Sequence, residues 1–244
     1  WTIITANDPA VTTAYISHAA CLRHETGSHH PECPQRLYAI EDSLIAAGLM
    51  DLLDRHEAPP ANHQQLCRVH SPAYLEDIER RAPLAGLVTL DADTVMGAHS
   101  LEAARRAAGA VVHGVNLALR GEADTAFCGT RPPGHHAERN RAMGFCLFNN
   151  AAVAAAKLAE EGQRVAIVDW DVHHGNGTQD IFYDDPRVLY VSTHEAPLYP
   201  GTGRADEMGG PGGIILLRIP QFLLEGVVQY VTFNAGYFHI CSIL

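Results

Sequence analysis

The stretch Arg164-Val165-Ala166-Ile167-Val168-Asp169-Trp170-Asp171-Val172-His173-His174-Gly175-Asn176-Gly177 starts as an apolar run of strand length and turns abruptly polar. Residues 164–168 read as a strand buried on both faces, because a parallel sheet covered by helices needs a continuous apolar run. Just upstream, Asn149 or Asn150 can cap an Ala-rich helix that Gly162 ends, and residues 125–128 form a short strand before it. Just downstream, residues 187–192 form another strand. Strand, helix, strand, short helix, strand is the signature of right-handed βαβ units around a parallel sheet. Farther out, residues 34–48 read as a helix with Leu37, Ile40, Leu44 and Ile45 on one stripe. Ser71 followed by Pro72 marks another helix start. The Ala-rich run 100–120, closed by Gly121, is the strongest helix signal in the chain. With no internal repeat and no Gly/Ser linker, this is one α/β domain.

The composition agrees. The 244 residues are 47% hydrophobic, which excludes wholesale disorder. The net charge of −11 and the lack of a basic patch argue against direct nucleic-acid binding. Six cysteines are scattered without a C-x-x-C pair, so cysteine suggests neither a zinc knuckle nor a redox couple. Residues 1–9 lack the charged and apolar regions of a signal peptide, so the expected setting is reducing and cytoplasmic. Fifteen histidines are many for a residue that so often binds metal or moves protons.

Ligands of open α/β sheets bind beyond the carboxyl ends of the strands. Two loops qualify, and each holds an adjacent histidine pair. One is Arg131-Pro132-Pro133-Gly134-His135-His136-Ala137-Glu138, after strand 125–128, and the other runs from Asp169 to Gly177. In extended backbone, Asp169, Asp171 and His173 point to one side. Two carboxylates and an imidazole suit Zn²⁺ or a similar divalent ion better than Ca²⁺. The bland alternative is a solvated surface turn, but a strand end directly after four apolar residues is a poor place for unpaired carboxylates. A catalytic zinc keeps three protein ligands, and Asp171 and His173 supply two. His135 and His136 can act as acid–base groups beside it. Each imidazole then needs an orienting partner, and Asp169 and Asn176 can serve. Alone, a His-His pair is as readily a chance surface pair; the second loop favours function. Gly144-Phe145-Cys146 either walls a narrow channel or is core at a helix start.

These loops, with Met143-Gly144-Phe145-Cys146, closely resemble the class II histone deacetylase family and its bacterial amidohydrolase members. The resemblance extends to His30-Pro31-Glu32-Cys33-Pro34-Gln35-Arg36, to Val69-His70-Ser71-Pro72, to Leu189-Tyr190-Val191-Ser192-Thr193-His194 and to Tyr199-Pro200-Gly201-Thr202-Gly203, covering about residues 14–213. It implies the three-layer arginase/deacetylase α/β fold with a central parallel sheet. It also implies zinc-dependent hydrolysis of an acetylated lysine or related acetylated amine. By position, Asp171 and His173 look like zinc ligands. His136 looks like the general base and acid, oriented by Asn176, and His135 like its electrostatic partner, paired with Asp169. Gly144 and Phe145 look like acyl-lysine channel residues, Tyr199 like a rim aromatic, and Asp93 (with Asp91 close behind) like a rim carboxylate that holds substrate backbone. Asp169 and Ser192 match a structural potassium site.

Two family features have no counterpart. A third zinc-ligating Asp and a Tyr beside glycines are due farther along, yet no Asp follows Asp206, and in Asn234-Ala235-Gly236-Tyr237-Phe238-His239 a Phe stands where the carboxylate belongs. The expectation is an incomplete deacetylase-like domain over residues 1–213 and a divergent apolar tail over 214–244. In the tail, residues 226–244 lack formal charge, but Gln229, Asn234 and His239 make a poor membrane span. Such a chain should bind zinc weakly, show little activity and self-associate through an open sheet edge. The alternatives are an inactive acyl-lysine-binding fragment and an arginase-like binuclear manganese hydrolase, for which Asn176 stands where an extra carboxylate is wanted.

Overall fold

A computed structural model describes residues 11–218, 230–234 and 237–242. Strand β1 (Thr13–Ser17) leads through a 3-10 turn (Ala19–Arg23) to α1 (Gln35–Ala46), β2 (Asp54–Glu57), α2 (His63–Leu66) and α3 (Pro72–Arg81). A hairpin of β3 (Leu87–Asp91) and β4 (Thr94–Gly97) follows, then α4 (Ser100–Leu119) and β5 (Thr125–Gly129). The later half holds α5 (Asn150–Glu160), β6 (Val165–Asp169), α6 (Asn176–Phe182), β7 (Val188–Thr193), β8 (Ile214–Arg218), β9 (Tyr230–Asn234) and β10 (Tyr237–Ser242).

Eight strands form one sheet in the order β2-β1-β5-β9-β10-β6-β7-β8. All its pairings are parallel except those of β9, which runs antiparallel to β5 and β10. Alternation along β1 and β5 sorts side chains onto two faces. Ala14, Ile16, Ala126 and Cys128 join the large core that includes α4 and α5. Tyr15 and Phe127, stacked at 5.7 Å, join a smaller cluster with Ile40 and Leu44 of α1. Helix, sheet, helix is therefore the layering. Alanine makes the close approach of α4 and α5 cheap, because burying it forfeits no side-chain entropy.

The expected elements are present. Ser71 Oγ accepts from Tyr74 N at 3.2 Å with Pro72 in the first turn, and Asn149 rather than Asn150 caps α5 through Ala152 N at 3.1 Å. One stripe residue is corrected: Ile45 is 61% exposed, because α1 covers only the small cluster and its last turn overhangs it. Strands β1 to β4 escaped the sequence reading, and so did β8, β9 and β10, which lie in the stretch read as a divergent tail yet join the main sheet. Asp54-Arg55-His56-Glu57 carries no apolar residue, and the hairpin is short and half exposed. The start at 1–9 lies outside the described residues. So do 219–229, 235–236 and 243–244 of the tail, and with them much of the 226–244 segment. No helix among the described residues is long and apolar enough to cross a membrane.

Candidate active site

The loops after β5, β6 and β7 meet at the carboxyl edge of the sheet. The loop after β5 is held from below by Arg131, whose guanidinium donates to both Glu32 carboxylate oxygens at 2.5 Å, to Cys21 O at 2.9 Å and to His24 O at 3.1 Å. Burial alone would raise the Glu32 carboxyl, but His24 and Arg131 outweigh it and hold it at about 2. From the side, α6 seats its first turn on the histidine pair. Thr178 N donates to His135 O at 3.1 Å. A β-carbon at residue 177 would collide with the Ala137 backbone, so this contact requires glycine.

Each predicted imidazole partner is in place. His135 Nδ1 donates to Asp169 Oδ2 at 2.9 Å, and His136 Nδ1 pairs with Asn176 Oδ1 at 2.8 Å. The two rings lie 4.0 Å apart and both are buried. Their protons are held differently. Burial disfavours charge on His135, but the carboxylates of Asp169 and then Asp171 overcome this and raise it above the usual histidine range. Burial and the neighbouring His135 push His136 below the usual histidine range, so it stays neutral. Two adjacent titrating groups driven apart by their surroundings is the arrangement that separates an electrostatic partner from a base.

Asp171 Oδ1 lies 2.9 Å from His173 Nδ1 and accepts from His173 N at 2.7 Å. Burial would raise Asp171, but the His173 hydrogen bond and the charge of His135 keep it lowered. His135 Nε2 is buried without a hydrogen-bond partner and faces Asp171 Oδ1 at 3.9 Å. A carboxylate and an imidazole nitrogen in one place suit a divalent ion, and the orphaned His135 Nε2 is left to hydrogen-bond a ligand beside them. The donors number two, however, and among the described residues no group of three His, Cys, Asp or Glu is arranged to hold a metal. Asp169 and Ser192 are partners across β6 and β7, but their polar atoms are engaged elsewhere. Asp169 accepts from Tyr190 OH at 3.1 Å and Asp171 N at 3.3 Å, while Ser192 Oγ bonds His194 Nδ1 at 2.9 Å.

The other candidates surround this centre. Gly144 and Phe145 both take positive φ, +55° and +68°. A side chain at residue 144 would run into the His136 ring. Asp93 Oδ1 accepts from Gly144 N at 3.1 Å, and Thr94 Oγ1 accepts from Phe145 N at 3.1 Å, so the β3–β4 turn holds this strained pair from outside. His30 packs edge-on against Phe145 at 4.7 Å. Tyr199 stands edge-on to His136 at 4.9 Å and is partly exposed. Asp91 turns away to Arg141. Sequence reasoning gave no role to Thr94, Tyr190 or Glu138, the last of which accepts from Asn176 Nδ2 at 2.7 Å. Glu138 lies inside a quoted motif, but periodicity gives no reason to assign it.

A buried, separately partnered imidazole pair beside a carboxylate–imidazole donor pair, at the carboxyl edge of a largely parallel sheet, defines an α/β acid–base site with metal-capable donors. A model of the histone deacetylase domain matches residues 30–234, and this chain belongs to that family, whose named members are deacetylases and amidohydrolases. It is 45% identical over 212 residues to an uncharacterized protein of Synechocystis, covering 85% of this chain and 68% of that one. It is 37% identical to a probable deacetylase of Archaeoglobus fulgidus, covering 86% and 59%. It is 39% identical to a histone deacetylase-like amidohydrolase of Pseudomonas aeruginosa, covering 82% and 58%. The crystal structure of the HDA15 HD domain superposes with a TM-score of 0.80 at 40% identity, over 85% of this chain and 61% of that one. The chain thus spans between 58% and 68% of these curated relatives' length.

Proposed function

We propose that the protein to which this chain belongs is a zinc-dependent deacetylase that hydrolyses the amide of an acetylated lysine or related acetylated amine. The observation that carries this reading is the pair His135–Asp169 and His136–Asn176, buried side by side next to Asp171 and His173. Asp171 and His173 would hold two coordination positions of a zinc ion, which when bound supplies Lewis acidity at the scissile carbonyl. His136, neutral and with Nε2 unburdened by Asn176, takes a proton from the attacking water and returns it to the leaving amine. His135, whose affinity for its proton Asp169 raises, stabilises the negative charge that develops beside it. Phe145 and Tyr199 flank the approach of the acyl-lysine chain, and Asp93 holds the Gly144 turn. Potassium at Asp169 and Ser192 belongs to the same proposal, supported by their register across β6 and β7. A reducing, cytoplasmic setting is also proposed, in keeping with five free thiols among the described residues.

The test is hydrolysis of a fluorogenic acetyl-lysine peptide by the full-length protein with zinc. His136→Ala should lower kcat/KM on the order of 10²–10⁴-fold. Absence of metal-dependent turnover in the full-length protein would overturn the proposal. The two-donor count favours one second reading, that this chain by itself binds acyl-lysine without hydrolysing it. Peptide retention without acetate release would identify that case. Asn176, engaged by His136 and Glu138, offers little to a binuclear manganese site.

A further inference from the structure

The side-chain amide of Asn176 sits between groups of opposite demand. Its Oδ1 meets His136 Nδ1 at 2.8 Å, while its Nδ2 donates to Glu138 Oε1 at 2.7 Å and lies 3.3 Å from Met143 Sδ. The two ends of an asparagine amide are nearly the same size, so packing alone does not choose between its two orientations. Acceptors do choose. A carboxylate accepts and does not donate, and a thioether sulfur is a weak acceptor. Turning the amide over would set its oxygen against both.

The orientation matters because it decides which ring nitrogen of His136 carries the proton. With Oδ1 facing the ring, Nδ1 must be protonated, and Nε2 keeps a free lone pair. With Nδ2 facing the ring, Nδ1 would have to accept, and the proton would move to Nε2. His135 has no such ambiguity, because the Asp169 carboxylate accepts whichever way it is turned. Glu138 is itself well placed to act as the fixed point. Its N–H donates to Arg141 O at 3.0 Å, and its C=O accepts from His70 Nδ1 at 3.0 Å. His70 Nε2 in turn accepts from Asn149 N at 2.9 Å, at the cap of α5.

We propose that Glu138 is a positioning residue: by orienting the Asn176 amide it holds His136 as the Nδ1–H tautomer, with Nε2 free to receive a proton. The inference rests on the reading of His136 as the acid–base group, but its test does not depend on turnover. In long-range ¹H–¹⁵N spectra of histidine-labelled protein, with His136 assigned by the signal lost in His136→Phe, the wild type shows Nδ1 protonated and Nε2 bare. Glu138→Ala moves His136 to a mixture of tautomers, while His135 keeps its proton on Nδ1. Glu138→Gln, whose side-chain oxygen still accepts from Asn176, restores the wild-type pattern. In an Asn176→Asp background, where the side chain accepts in either orientation, Glu138→Ala no longer changes the tautomer. Glu138→Leu keeps the volume and removes the acceptor, and gives the same reading if Glu138→Ala does not fold. An unchanged His136 in Glu138→Ala and Glu138→Leu overturns the proposal, as does a shift of His135 together with His136. If the tautomers respond as expected and the full-length protein hydrolyses no acetyl-lysine, the functional reading fails and this one stands.

Discussion

Gly144 and Asp169 show how single positions constrain the centre. Gly144 combines a positive φ with a β-carbon direction that ends in the His136 ring. Gly144→Ala should therefore cost about 1–3 kcal/mol of stability, read by urea denaturation, because neither loop can retreat without disturbing the other. An alanine variant as stable as wild type would show that the loop has room. Asp169 gathers His135 Nδ1, Tyr190 OH and the Asp171 N–H on one carboxylate. Asp169→Asn keeps the shape but loses the charge that retains the His135 proton, so the deacetylation proposed for the full-length protein should fall mostly through kcat with little change in KM. A variant with full kcat would remove His135 from the mechanism.

Among the elements, the helix caps join local chemistry to the site. Ser71 caps α3 and also donates to Asn140 Oδ1 at 2.5 Å, at the protein surface. Ser71→Ala should cost about 1 kcal/mol, the usual worth of an N-cap. Asn149 is buried and does more. Besides capping α5, its amide nitrogen donates to Thr178 Oγ1 at 3.1 Å and Ala137 O at 3.3 Å, tying α5 to α6 behind the histidine pair. Asn149→Ala leaves buried polar atoms unsatisfied and should cost roughly 2–4 kcal/mol. Equal losses in calorimetry for the two variants would contradict this ordering.

Across the whole molecule, buried titrating groups set the response to acid. Burial pushes His70 down to about 4 from an ordinary 6.5, so the folded chain binds this proton less readily than the unfolded one. Its contribution is complete above pH 6.5 and is lost as pH falls toward 4, on the order of 3 kcal/mol in all. Glu32, lowered from 4.5 to about 2, contributes above pH 4.5 and loses its contribution as pH falls toward 2. Urea midpoints should therefore fall in the first window through His70, together with the buried His136 and His174, and again in the second through the Glu32–Arg131 pair. A flat profile from 6.5 to 4 would contradict the burial of His70. With two donors among the described residues, this chain should also bind zinc weakly by calorimetric titration. A stoichiometric ion at sub-micromolar affinity would show that a third donor is present.

Much of this could be read from local chemistry. Apolar runs, alanine-rich helices and Ser, Asn and Gly at their ends specify the βαβ core, and the loops 131–138 and 169–177 announce their histidines by position at strand ends. The partners of His135 and His136 were also within reach, since an imidazole needs an acceptor and the neighbouring loop offers, besides Asp171 beside His173, one carboxylate and one amide. Strands β1 and β2 were not, because their place in the sheet depends on pairing with distant segments rather than on their own pattern. Nor was Glu138, since an exposed-looking Glu becomes a partner of Asn176 only when α6 folds back over the loop after β5. Periodicity and turn chemistry act over a few residues and are written in the chain. The orientation of an amide, the strain at Gly144 and Phe145 and the separation of two histidine proton affinities arise from atoms far apart in sequence, and folding alone brings those together.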